Sequence, residues 1–404
     1  EANFCRERLI DMMAADLGLD PAEIRLRNLM QPEDLPYRIG ELVPGDPDAT
    51  FDAGDYPSAL RRMLDEIDYP SWKDRQGAER DGKRLGIGIA CFIESSAAGP
   101  PESARVAAGE DGAVEIRVGA SSLGQGVETG MAQICAELLE IPMDGISVLH
   151  GSTTLLPSGG GTFHSRNTVM AGNAVRIAAE NLRERCIELA ALRWNATPET
   201  LRYAQGAVWR DDDSGPLCLG LAELSSYAAS RNGGGGAALS ADGVFDNQGK
   251  LSYSYGAHGA IVAVDVATGQ VEVERYVLTE EIGRSLNPDM LRGQAVGGVV
   301  QGLGGALLEH MQYDADGQLL TASLADYLVP ASTDVPDITT IAMQDYPSQF
   351  NPMGFKGAGE GGIVAVAAAV GNAVAHALSG YAAEIVRLPL SPNHVRSLLR
   401  EAGD

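Results

Sequence analysis

Positive charge is scarce in this sequence: 30 Lys and Arg stand against 55 Asp and Glu, for a formal net charge of -25. A nucleic acid or an anionic membrane surface would repel such a chain, so neither is expected as a partner. No apolar run approaches the roughly 18 residues of a membrane span, and no stretch has the layout of a cleaved export signal. A cytoplasmic protein is therefore expected. Cysteine is sparse too. Cys5, Cys91, Cys135, Cys186 and Cys218 are odd in number, widely spread and free of any C-x-x-C pair, which is the usage of reduced, buried thiols. The same spacing leaves no ligand set for an iron–sulfur cluster. A G-x-S-x-G elbow is also missing, which removes a serine hydrolase of that type.

What the chain has is length and apolar content: 404 residues, 45% of them hydrophobic, enough to bury sizeable cores. Residues 2–18 predict a helix with Phe4, Leu9, Ile10 and Met13 on its buried face. Asp20 as N-cap, Pro21 in the first turn and Glu23 closing a capping box predict a second helix and hence a hairpin. Residues 31–83, rich in Pro, Asp and Gly, read as a traversing connection. Strands follow at "RLGIGIACFIES", "AVEIRVGAS" and "ISVLHG". Helices are predicted at "GMAQICAELLEI", with Met131, Ile134, Cys135, Leu138 and Leu139 on one face, and at about 168–193, with Met170, Ala174, Ala178, Leu182 and Leu189 inward. "SRNGGGGAAL" (230–239) reads as a surface loop, and "AIVAVDVATGQVEVERYVLT" as a hairpin around Thr268 and Gly269. A glycine-studded helix and a buried Ala/Val helix over 363–379 complete an irregular mixture, which argues for an α+β arrangement with mixed sheets packed against helices.

Four polar, glycine-rich stretches interrupt this pattern: "LGQGVET" (123–129), "GGGTFHSRNT" (159–168), "VVQGLGG" (299–305) and "KGAGEGG" (356–362). Taken singly, each admits a plain structural reading. Gln125 sits in a helix start, Ser165 or Asn167 serves as an N-cap with Arg166 a surface charge, and Gln301 is a satisfied core amide. The last stretch fits G-x-G-x-x-G through Gly357, Gly359 and Gly362, and Glu384 lies at the distance of a ribose-binding acid. A dinucleotide loop nevertheless requires a buried strand leading into its first glycine, and "QDYPSQFNPMGFK" supplies none. Glu360 would also repel a pyrophosphate.

Together, and in this order, the stretches carry a resemblance. "GASSLGQGVETGMAQICAELLEIP", "HGSTTLLPSGGGTFHSRNTVMAGNAV", "EEIGRSLNPDMLRGQAVGGVVQGLG" and "FKGAGEGG" resemble the molybdopterin-binding large subunit of the molybdenum hydroxylases, the xanthine dehydrogenase, aldehyde oxidase and aerobic carbon monoxide dehydrogenase family. The resemblance implies Glu360 as the active-site base. It implies cofactor contacts at Gly124, Gln125 and Gly126, at His164, Ser165, Arg166 and Asn167, at Gln301, and at Gly359 beside the base. Val127 stands where many relatives have His, and His164 and Asn167 where they have Gly and Ser.

The resemblance further implies an oxidoreductase that hydroxylates a carbon of an aldehyde, purine or N-heterocycle with water as the oxygen source. The cofactor would be molybdopterin carrying molybdenum, with the cytosine dinucleotide form as one option, and electrons would leave to Fe-S and FAD centres on small and medium partner subunits. The chain opens at Glu1, at the position where the family's metal-facing loop ends. It is thus expected to be the C-terminal half of a large subunit, a fragment or a split-gene product that works with an N-terminal half. The competing expectation is an inactive half that only completes an interface. On this frame residues 1–83 are the hairpin and connection, 84–225 the first part of the second molybdopterin-binding lobe, and 226–404 its second part with the glutamate loop.

Overall fold

The computed structural model describes residues 1–40, 47–156, 158–212, 215–231 and 239–403. Helices α1 (Ala2–Leu17) and α2 (Pro21–Asn28) form the expected hairpin. The ribbon β1 (Tyr37–Arg38) and β2 (Thr50–Phe51) precedes α3 (Tyr56–Glu66) and α4 (Tyr69–Lys73). Then come β3 (Glu79–Arg80), the long β4 (Lys83–Ser96), β5 (Glu102–Ala108), β6 (Val114–Val118), α5 (Val127–Leu139), β7 (Ile146–Leu149) and α6 (Gly172–Trp194). A meander of β8 (Arg202–Ala204), β9 (Ala207–Asp212) and β10 (Gly215–Gly220) leads to α7 (Leu221–Arg231) and β11 (Leu239–Phe245). The hairpin β12 (Ser252–Asp265) and β13 (Val271–Glu281) turns where expected, and α8 (Pro288–Leu307), β14 (Asp337–Met343), α9 (Gly361–Val364), α10 (Val366–Ala377) and α11 (Pro392–Glu401) follow. The glycine run read as a loop falls in 232–238, outside the described residues.

Two mixed sheets organise the chain, so the α+β arrangement read from the sequence is the one found. One has the order β14-β13-β12-β4-β3, with β14 parallel to β13; the other has the order β11-β5-β6-β7, with β7 parallel to β6. Alternation along β4 sends Ile87 and Ile89 against Leu60, Met63 and Ile67, while Ala90 and Phe92 face Val366, Ala369 and Ala373 of α10. The second sheet is covered by α5, α6 and α7, with Met170, Ala174, Ala178, Leu182 and Leu189 inward as their spacing requires.

Two expectations are corrected. The connection 31–83 contains α3 and α4, because Tyr56, Ala59, Leu60 and Met63 recur at helical spacing, capped by Asp55 accepting from Ser58 N–H at 2.9 Å. The flanking Pro, Asp and Gly obscured that period. The second correction concerns α1, which buries Asn3, Phe4, Glu7, Arg8, Asp11 and Ala14, while Leu9 and Met13 are exposed. Its polar face goes inward because partners await it. Arg25 pairs with Glu7 at 2.8 Å and Asp11 at 2.7 Å, Glu7 also accepts from Cys91 N–H, and Arg8 donates to Asn372 of α10 at 2.7 Å. Asp11 further faces His376 at 3.2 Å. Burial alone would raise the Asp11 carboxyl, yet His376 and Arg25 hold it below the usual range. Asp20 caps α2 as expected, accepting from Ala22 and Glu23 N–H, whereas the Glu23 carboxylate pairs with Arg27. All five cysteines are free: Cys135 and Cys186 are buried, Cys91 is half-buried, and Cys5 and Cys218 are exposed.

Removing Arg25 strands two buried carboxylates, so Arg25→Met is expected to cost about 3–5 kcal/mol in denaturant unfolding. Arg27→Met, on an exposed pair, is expected to change stability by less than about 1 kcal/mol. Equal effects would show that the hairpin is not held by this network.

Candidate active site

Stretches 123–131, 162–168, 282–294 and 356–360 converge on one cavity of about 410 Å³, a size typical of small-molecule sites. After β6 the chain turns through Gly124 and Gly126, at φ 100° and 76°, into α5. Gln125 folds its amide onto its own loop: Oε1 accepts from Leu123 N–H at 2.5 Å and Nε2 donates to the Ser121 carbonyl at 3.1 Å. An N–H and a lone pair of that amide remain available to a ligand.

The second loop holds two consecutive non-glycine residues in the left-handed region, His164 at φ 50° and Ser165 at φ 46°. Each such residue costs roughly 1–2 kcal/mol, and the end of β4 holds them there. Ala97 N–H donates to the His164 carbonyl at 3.1 Å and Ala98 N–H to Nδ1 at 3.2 Å, which leaves Nε2 as the protonated nitrogen, 2.9 Å from Ser95 Oγ. Arg166 is not a surface charge. It is fully buried, paired with Glu102 at 2.7 Å and donating to the carbonyls of Ala98, Gly161 and Pro100. The guanidinium is thus committed to shaping the loop from behind. Neither Ser165 nor Asn167 acts as a side-chain N-cap, since the chain enters α6 through a π-helical turn over Asn167–Ala171. Asn167 Nδ2 donates to Thr162 Oγ1 at 3.0 Å, and its Oδ1 is buried without a partner.

Gln301 is placed differently from the core amide considered above. It is exposed on α8 and lies outside the cavity lining, whereas Gln294, two turns earlier on that helix, lines it. Arg284, Ser285, Asn287 and Lys356 also line the cavity and were not singled out from the sequence. The seven-residue spacing of the two glutamines, which puts them on one helical face, is the sequence signal by which Gln294 could be found.

Glu360 stands at the start of the four-residue α9 and makes no capping hydrogen bond with its side chain. It is exposed to the cavity, and Ser165 Oγ donates to its Oε2 at 3.1 Å. The glycines around it make room for protein. A Cβ on Gly357 would lie 2.4 Å from Ser96 Cβ and 2.6 Å from Ser165 Cβ, and one on Gly361 would lie 1.8 Å from Glu280 Oε1. Gly359, next to the base, faces Ser165 Oγ. His258 donates from Nε2 to the Gly361 carbonyl at 3.0 Å, while its Nδ1 meets Tyr276 Oη at 2.7 Å. Burial drives its imidazole down to about 3, so it holds the loop as a neutral ring.

Three polar atoms of cavity-lining residues are buried without partners: Asn167 Oδ1, Ser285 Oγ and Lys356 Nζ. Burial lowers the Lys356 ammonium, against the pull of Asp52 and Glu281. The Lys356 ammonium lies over the Tyr255 ring, which is not part of the cavity lining. The cavity's mixed donors and acceptors are therefore the amides of Gln125, Asn287 and Gln294, the Ser165 hydroxyl and the Glu360 carboxylate.

The sequence model of the molybdopterin cofactor-binding domain matches residues 62–336. The chain belongs to that family. Among relatives it is 35% identical to the 6-hydroxypseudooxynicotine dehydrogenase complex subunit gamma of Paenarthrobacter nicotinovorans, over 98% of this chain and 50% of the relative. It is 32% identical to the carbon monoxide dehydrogenase large chain of Hydrogenophaga pseudoflava, over 93% and 48%. Quinoline 2-oxidoreductase of Pseudomonas putida 86 superposes with a TM-score of 0.86 at 33% identity, covering 99% of this chain and 52% of that one. The chain thus spans about half the length of the curated relatives it matches. A molybdopterin suits this lining of amides, a hydroxyl and a carboxylate, since its pterin edge presents both donors and acceptors. No helix among the described residues is long and apolar enough to cross a membrane.

Because Gly361 packs against a carboxylate, Gly361→Ala is expected to lower stability by about 1–3 kcal/mol. Gly305→Ala, at an exposed helical glycine with nothing within 4 Å of the added Cβ, is expected to gain about 0.5–1 kcal/mol. Thermal unfolding of both variants checks the contrast.

Proposed function

We propose that this chain is the cofactor-binding half of a molybdenum hydroxylase large subunit, active with an N-terminal half that supplies the rest of the site. The observation that carries the reading is Glu360, an exposed carboxylate held by Ser165 at the mouth of a cavity lined by further hydroxyls and amides. Glu360 is the base: it takes a proton at its carboxylate oxygen as the attacking oxygen forms its bond to substrate carbon. Ser165 fixes the carboxylate, His258 and Glu280 fix the peptide that follows it, and Asn167, Ser285, Gln125 and Gln294 hold the cofactor. The bound group, molybdopterin with molybdenum, plain or as the cytosine dinucleotide, supplies the two-electron oxidation and the oxygen derived from water.

The substrate is an aldehyde, a purine or an N-heterocycle, a range supported by relatives whose names include nicotine 6-hydroxylase, aldehyde oxidoreductase and xanthine dehydrogenase. Electrons pass to Fe-S and FAD centres on small and medium subunits, consistent with relatives described as subunits of a larger complex. The five free thiols fit the reducing cytoplasm. An inert half that completes an interface is not favoured, because the carboxylate and its donor stand ready in the cavity.

A correctly placed base contributes about 10²- to 10⁴-fold. In the complete, metal-loaded assembly, Glu360→Gln is expected to lower kcat by at least about 100-fold with molybdenum and pterin content unchanged. Turnover within about tenfold of wild type would remove Glu360 from the role.

A further inference from the structure

The turn that presents Ser165 to the base has a conformation its residues do not favour. Arg166 N–H donates to the Phe163 carbonyl at 3.2 Å, closing a turn whose central pair, His164 and Ser165, both have positive φ. Turns of that kind are dominated by Gly, Asn and Asp. A strained pair persists only where the surrounding structure over-determines it, and such strain clusters at functional sites. Here Ser95 to Ala98, at and just beyond the end of β4, supply the surroundings.

His164 is bonded to this strand end through both its backbone and its ring. Ala97 N–H donates to its carbonyl at 3.1 Å, Ala98 N–H donates to Nδ1 at 3.2 Å, and Nε2 lies 2.9 Å from Ser95 Oγ. Ser96, between them, holds the other loop: its buried Oγ accepts from Gly357 N–H at 2.9 Å. One strand end therefore sets the His164–Ser165 turn and the glutamate loop against each other. The contact that results is Ser165 Oγ donating to Glu360 Oε2 at 3.1 Å. The ring itself is fully committed. With Nδ1 accepting from Ala98 and Nε2–H facing Ser95, neither an N–H nor a nitrogen lone pair of the imidazole is left for a ligand.

We infer that His164 is a positioning residue for the base and that its ring does not bind the cofactor. The imidazole latches the strained turn onto β4, so that the Ser165 hydroxyl faces the Glu360 carboxylate. Glycine at this position would accept the same φ without strain but would leave the turn free to adopt other conformations. Asparagine also tolerates positive φ, and its side-chain oxygen can accept from Ala98 N–H as Nδ1 does. The two substitutions thus separate the backbone conformation from the latch. The inference rests on the reading of Glu360 as base.

The test compares the complete, metal-loaded assembly with its His164→Gly and His164→Asn variants. His164→Gly is expected to lower kcat at least about tenfold, with KM within about twofold and molybdenum and pterin content unchanged; His164→Asn is expected to stay within about threefold of wild type. Loss of the cofactor from either variant makes the imidazole a ligand and overturns the inference. Wild-type turnover in His164→Gly, or an equal loss in His164→Asn, overturns the latch while leaving the base in place. A second readout needs no turnover: nitrogen-15 ring spectra of the assembly, with this chain alone labelled at its six histidines. The signal that His164→Asn removes belongs to His164, and it is expected to show the Nε2–H tautomer with Nδ1 accepting a hydrogen bond. A proton on Nδ1, or a ring averaging between tautomers, overturns the latch. Wild-type turnover in Glu360→Gln overturns the base, and its positioning with it, while the ring tautomer still reports whether His164 is bonded to β4.

Discussion

The site depends on one close approach. The loop that carries Glu360 lies on Ser96, Ser165 and the Glu280 carboxyl with no space for a methyl group at Gly357 or Gly361. That contact joins the two sheets functionally, because Ser165 comes from the loop before α6 and Glu280 from the sheet under α10. It also fixes the direction of the base, whose carboxylate accepts from Ser165 and whose following carbonyl accepts from His258. Everything placed behind these residues serves to hold the approach. Arg166 and Glu102 lock the Ser165 loop from inside, and a neutral His258 holds the glutamate loop from below.

Much of this was legible in the sequence where local chemistry decides the outcome. The α+β mixture, the hairpin at Thr268, the inward face of α6 and the Asp20 cap follow from period and capping. Glu360, Ser165 and Gln125 were marked by being polar among small residues. What was not legible depended on partners far along the chain. The inward face of α1 is polar because Arg25, Asn372 and His376 meet it, and no periodicity in residues 2–18 announces residues 372 and 376. Arg166 reads as a surface charge until Glu102, on β5, closes over it. Gln301 and Gln294 differ only in which turn of α8 reaches the cavity.

The glycines illustrate the same limit. Their pattern matches a dinucleotide loop by letter, and the structure shows that Gly357 and Gly361 are filled by the protein itself. The space kept for a ligand lies instead among the loops that carry Gln125, Ser165, Asn287, Gln294 and the base. Its polar atoms form a mixed set of donors and acceptors, which a purely apolar or purely anionic ligand would leave partly unmet.

The central claim is that this cavity holds the pterin cofactor against its amide and hydroxyl lining, with Glu360 at its edge. An experimental structure of the cofactor-loaded assembly tests it most directly. The account predicts cofactor density in the cavity within hydrogen-bond distance of the Gln125 and Gln294 side-chain amides, with the Glu360 carboxylate at its edge. Cofactor bound elsewhere, with those amides facing solvent, would contradict it.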